Sequence, residues 1–143
     1  MAKDIVRIGC AAGFWGDSPL AARQLVERAD IDFLVFDYLA EVTMSILARA
    51  RARAPDQGYA TDFATAVIPD IIGDLAARKI RLVCNAGGVN PRACRDAVAA
   101  VARAAGLDLR IAVVLGDDLM PMLEGPPHQP MVDMFSGETL PDR

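Results

Sequence analysis

The chain has 143 residues, 53% of them apolar, and 15 Lys and Arg against 19 Asp and Glu give a formal charge of −4. That length builds one domain with a substantial core, not two. The acidic balance and the scatter of the basic residues exclude a nucleic-acid footprint, which needs clustered cations, but not a small anion held by backbone amides.

In chain order, Met1-Ala2-Lys3-Asp4 carries one lysine and no signal-peptide core. No later run approaches the roughly 20 apolar residues of a membrane span, so a cytoplasmic protein is expected. Ile5–Gly9 is a short apolar run closed by glycine, a predicted first strand. Asp17 or Ser18 is placed to cap the next helix, with Pro19 at or near its first position. From Leu20 to Ala29, Leu20, Ala21, Leu25 and Val26 fall on one helical face. Phe33–Phe36 is a second strand, apolar on both faces, which is the pattern of a parallel sheet covered by helices on both sides.

Glu41–Ala54 predicts a helix with Arg49, Arg51 and Arg53 towards its negative end. Residues 55–59 form a turn, and Asp62–Lys79 is helical again, kinked or split by Pro69. Arg81–Cys84 is a third strand. Pro91–Ala105 is an Ala-rich helix with Asn90 as N-cap and Gly106 closing it. Leu109–Leu115 is a predicted fourth strand ended by Gly116-Asp117-Asp118.

The alternation predicts an α/β fold: a small open, mostly parallel sheet of about four strands with helices on both faces, a three-layer Rossmann-like arrangement. Half a barrel is the other arrangement of four such units, and four alone cannot close one. Residues 1–119 form the predicted domain. Residues 120–143, with Pro121, Pro126, Pro127 and Pro130, form a proline-rich tail or the start of a further region. No internal repeat is evident.

Three strand ends carry the candidate chemistry. Asn85-Ala86-Gly87-Gly88-Val89-Asn90-Pro91 reads as a two-glycine turn into a helix N-terminus, which suits an anion; a turn that only needs positive φ is the plainer alternative. The P-loop pattern is absent, and the spacing of Gly9, Gly13 and Gly16 does not match a dinucleotide fingerprint. Gly13, Phe14 and Trp15 form a glycine-flanked aromatic loop that either lines an apolar pocket or anchors itself by burying both rings.

Asp37 ends the second strand and Glu41 opens the following helix, while Asp17, Asn85, Asp117 and Asp118 belong to the same predicted sheet edge. Acidic groups gathered there suit proton transfer, or a hard cation such as Mg²⁺. Singly, Asp17 caps a helix, Glu41 meets a helix dipole and Asp117-Asp118 makes a turn. The cysteines Cys10, Cys84 and Cys94 lack metal spacing, and the sole histidine, His128, lies in the tail, so they are expected to be buried, inert thiols.

Taken together, these motifs resemble the N-terminal part of the acyclic terpene utilisation (AtuA-like) family. The resemblance runs over Ile8-Gly9-Cys10-Ala11-Ala12-Gly13-Phe14 with Gly16-Asp17, and over Asp32–Glu41. It continues through Gly58-Tyr59-Ala60 with Asp62-Phe63, Asn85–Pro91, Gly116-Asp117-Asp118 and Gly137-Glu138, nearly the whole chain. It implies a place in bacterial catabolism of acyclic terpenes and branched acids, beside acyl-CoA enzymes. Family proteins are several times longer, which implies a fragment or split subunit here.

The resulting expectation is a protein acting on a small acyl-CoA or carboxylate. Gly87, Gly88, Asn85 and Asn90 bind its anionic group, Phe14 and Trp15 contact its apolar part, and Asp37 or Glu41 handles a proton. The alternative is a non-catalytic interaction domain that completes a larger partner, and a third reading is a metal-dependent hydrolase. A homo-oligomer, or association with a missing C-terminal region, is expected.

Overall fold

The computed structural model describes residues 5–119, 121 and 132–139. The chain divides into two compact units, Met1–Val113 and Val114–Arg143. The first holds β1 (Ile8–Ala12), α1 (Ala21–Arg28), β2 (Phe33–Phe36), α2 (Glu41–Arg53), a π-turn (Phe63–Val67), α3 (Ile68–Arg78), β3 (Arg81–Cys84) and α4 (Pro91–Ala104).

The three strands form one parallel sheet in the order β1-β2-β3. Ile8, Phe33 and Arg81 share a row, then Gly9, Leu34 and Leu82, then Cys10, Val35 and Val83. β1 starts three residues later than its apolar run suggests, because the Arg7 carbonyl and amide are both engaged by Asp32 at the head of β2. Between Cys10 and Ala12 the register slips by one residue, which bulges β1 at its C-terminal end.

α1 packs on β1 and β2, with α3 beside it and α4 beside α3, and all three contribute to one buried cluster with the strands. Leu34, Phe36, Val26, Ile71 and Ile72 are buried between the layers. A Cβ on Gly9 would stand 3.3 Å from Leu25 and Ile31, so glycine there lets α1 lie close to β1. The rings of Phe36, Tyr38 and Phe63 pack edge to face or tilted at 5.4 to 6.0 Å, tying β2 to the π-turn. Pro69 sits in the first turn of α3. The wider π-turn just before it answers a ring that would crowd the Thr65 carbonyl in a regular helix.

Two sequence expectations change. The opposite face of the sheet carries no helical layer, so the described fold has two layers, not three. The strand order runs one way, and parallel crossovers are right-handed almost without exception, so successive helices arrive on the same face. The Rossmann arrangement needs a reversal of strand order, and none occurs among the described strands. Leu109–Leu115, the predicted fourth strand, has the composition of a strand but pairs with no neighbour. The proline-rich tail falls mostly outside the described residues, and within the second unit Val132 and Thr139 form an antiparallel bridge.

Candidate functional site

Phe36 of β2 and Cys84 of β3 are register partners, so the chain brings the next residues, Asp37 and Asn85, together at the C-terminal edge of the sheet. Asn85 Nδ2 donates to Asp37 Oδ1 at 2.7 Å, and Asn85 Oδ1 accepts the Tyr38 amide at 2.7 Å. With one end accepting and the other donating, the Asn85 amide has a single orientation. The Asp37 amide donates to the Ala12 carbonyl at 3.0 Å, which ties the same point to β1. Asp37 itself is exposed. Tyr38 is buried, and desolvation, helped by the Asp62 charge, pushes its hydroxyl up to about 12, so it stays protonated at neutral pH.

The loop after β1 is held at both ends. Asp17 accepts the Gly13 amide at 3.0 Å and the Ser18 amide at 2.7 Å, which together hold its carboxyl below the usual range. The expected helix cap is therefore a loop clamp instead, and α1 begins later, after Leu20, without a side-chain cap. The Trp15 amide donates to the Tyr38 carbonyl at 3.2 Å and its indole Nε1 to Asp62 Oδ1 at 2.6 Å. Trp15 is thus a half-buried anchor packed on the core, whereas Phe14 is 57% exposed. Tyr38 and Asp62 fall inside the motifs that carry the family resemblance, but no site role was expected of either. Glu41 is exposed in the first turn of α2.

The two-glycine turn is shaped by packing. Gly88 has φ +50°, and a Cβ on it would run into Leu47 and lie 2.8 Å from the Gly58 carbonyl. A Cβ on Gly87 would lie 2.8 Å from Pro91 Cα. The Gly88 amide donates to Asn85, the Val89 amide to Gly58 and the Asn90 amide to Gly87, at 3.1, 3.0 and 2.9 Å. Asn90 caps α4 by accepting the Ala93 amide, and its Nδ2 donates to the Pro55 and Gln57 carbonyls. Arg51 donates to the Val89 carbonyl, fastening α2 to the same turn.

Asp117 and Asp118 belong to the second unit. Among the described residues no three His, Cys, Asp or Glu side chains gather as metal ligands. Burial pushes the Cys84 thiol up and the Cys94 thiol to about 12, whereas Cys10, expected to be buried with them, is exposed because β1 turns it away from the helices. His128 lies outside the described residues, and no helix of the described residues is long and apolar enough to cross a membrane.

The arrangement is that of an α/β protein presenting a fixed carboxylate–amide pair, beside an aromatic loop and a helix N-terminus, where parallel strands end. A family model described as acyclic terpene utilisation family protein AtuA matches residues 6–142. The chain belongs to this family. Neither a comparison with curated proteins nor one with solved structures gives a match.

Proposed function

We propose that the chain binds a small acyl-CoA or carboxylate of acyclic terpene or branched-acid degradation at this edge, with Asp37 as the group that accepts or returns a proton. The observation that carries the reading is the Asp37–Asn85 pair: an exposed carboxylate with Oδ1 fixed by a 2.7 Å bond. A proton-transfer group needs this combination of access and fixed orientation. The anionic part of the ligand would use the Gly87 amide and the N-terminus of α4, since the Gly88, Val89 and Asn90 amides already have partners. Phe14, exposed beside Gly13, suits the apolar part. Trp15, Asp17, Gly88 and Asn90 act by shaping the edge, and Glu41 is the second candidate for the proton.

A thermal melt with coenzyme A and short branched acyl-CoAs tests this. Ligand at about 100 times its Kd stabilises by about 2.7 kcal/mol, a rise of several degrees in Tm. The rise is expected in the native chain and in Asp37→Asn, which removes only the proton-handling charge, and is reduced in Asn85→Ala, which unfastens the turn from β2. No rise with any acyl-CoA, or an undiminished rise in Asn85→Ala, overturns it. The rival reading, an interaction domain, is favoured by one observation: the uncovered face of the sheet.

A further inference from the structure

The face of the sheet opposite the helices is open to solvent and mostly apolar. Ile8 is 65% and Val83 54% exposed, Cys10 is exposed, and Phe33 and Val35 are half-buried. Parallel sheets are covered on both faces almost without exception, and several exposed apolar side chains in contiguous rows mark an interaction surface.

The charges on this face are ordered along the strands. Arg81 stands in the first row, its guanidinium 5.4 Å from the Phe33 ring centroid. At the other end, Phe36 and Tyr38 are buried and Asp37 between them is exposed, so the alternation places Asp37 on the uncovered side. From the N-terminal to the C-terminal end the face therefore runs from a cation, across Cys10, Val35 and Val83, to a carboxylate.

We propose that a second copy of this chain covers this face, sheet against sheet, with the strands of the two copies running in opposite directions. A two-fold axis across the strands sets the N-terminal end of one face on the C-terminal end of the other. Arg81 of each copy then meets Asp37 of the other, about one strand spacing (~4.8 Å) to the side and within an arginine's reach. An axis along the strands would instead gather both arginines at one end and both carboxylates at the other, so the charge order selects the first arrangement.

The same rotation sets each strand opposite its own copy, which puts Cys10 against Cys10. Sheets pack about 10 Å apart, beyond the roughly 7 Å Cα limit of a disulfide but within a short bis-maleimide. The strip is only about 14 by 16 Å from strand spacing and rise, well under a standard interface, so the dimer belongs to the weak, transient class. This inference does not rest on the acyl-CoA reading, with which it competes for Asp37, and its test needs no ligand.

Sedimentation of the full chain from about 1 to 100 µM should show a reversible rise from one chain to two. Arg81→Asp should raise the Kd roughly tenfold, and adding Asp37→Arg should bring it back to within about threefold of the native value. A short bis-maleimide should join two chains, and Cys10→Ser should abolish the product. Circular dichroism confirms that each variant is folded. Should the double variant fail to fold, Arg81→Asp with the Cys10 cross-link still decides. A chain that stays monomeric at 100 µM, that associates equally well as folded Arg81→Asp, or that is not cross-linked through Cys10 overturns the proposal.

Discussion

Leu34 and Val35 are neighbours in the central strand, yet Leu34 is fully buried beneath the helices while Val35 lies half-exposed on the other side. A weaker contrast separates half-buried Leu82 from exposed Val83 in β3. The two faces of one sheet thus do different work: one holds the unit together, and the other presents an ordered surface. A strand that is apolar on both faces has a second layer of cover to find, and within the described residues only one is supplied.

The largest expected effect comes from setting the two faces against each other. Leu34→Ala leaves a cavity among closely packed side chains and should cost about 3 kcal/mol. Val35→Ala removes atoms that already touch water and should cost less than about 1 kcal/mol in dilute solution. Urea unfolding at low micromolar concentration measures both. Equal losses would mean that both faces are buried and would break the comparison. A Val35→Ala cost that grows with protein concentration would sharpen it, because only the dimer buries that side.

Gly88→Ala should follow, at about 2 kcal/mol, since it adds a Cβ at φ +50° where Leu47 and the Gly58 carbonyl leave no room. The loss appears in the melt without any ligand, which separates packing from an anion-binding role. Arg23→Ala should cost less than either Leu34→Ala or Gly88→Ala, because its ion pairs are exposed to solvent screening. Arg23 is a link on the helical side alone, bonded from α1 to Asp70 at 2.8 and 3.1 Å and to Asp74 at 2.6 Å on α3. Its contribution should shrink at 1 M salt, where the Debye length falls to about 3 Å, while the Leu34→Ala cost should not.

Much of this unit was legible from residue order. Phe33–Phe36 and Arg81–Cys84 are apolar runs of strand length and fold as such, and Asn90-Pro91 opens α4 as N-cap and first residue. What stayed hidden depends on partners far along the chain. Leu109–Leu115 has a strand's composition, but composition supplies no neighbour to bond with. The interruption at Pro69 was legible, but its form, a π-turn that carries the ring clear of the Thr65 carbonyl, was not, because periodicity does not report it. Asp37 and Asn85 were each visible as the first residue after a strand, yet their pairing depends on the register Phe36–Cys84. Given the strand order, that register follows from aligning the two four-residue strands end to end. The contrast between the two faces was invisible because Leu34 and Val35 are equally apolar.

The smallest effect is expected at Asp17, at the sheet edge where the two faces meet the β1 loop. Its carboxylate accepts the Gly13 and Ser18 amides, and those bonds lower its pKa in the folded chain below the ordinary 3.8. Lowering means that the folded state holds the proton less tightly than the unfolded one. The clamp therefore contributes fully above pH 3.8 and is lost as the pH falls through the lower folded value. Asp17 is fully exposed, so the consequence should be local: amides of residues 13–18 lose protection, measured against the unstructured rate at the same pH, below that pH while those of β2 do not. Asp17→Asn should show the lower protection already at neutral pH and lose the acid step. If the acid step persists in Asp17→Asn, another carboxylate governs this edge, and Asp37, one strand away, is the next to replace.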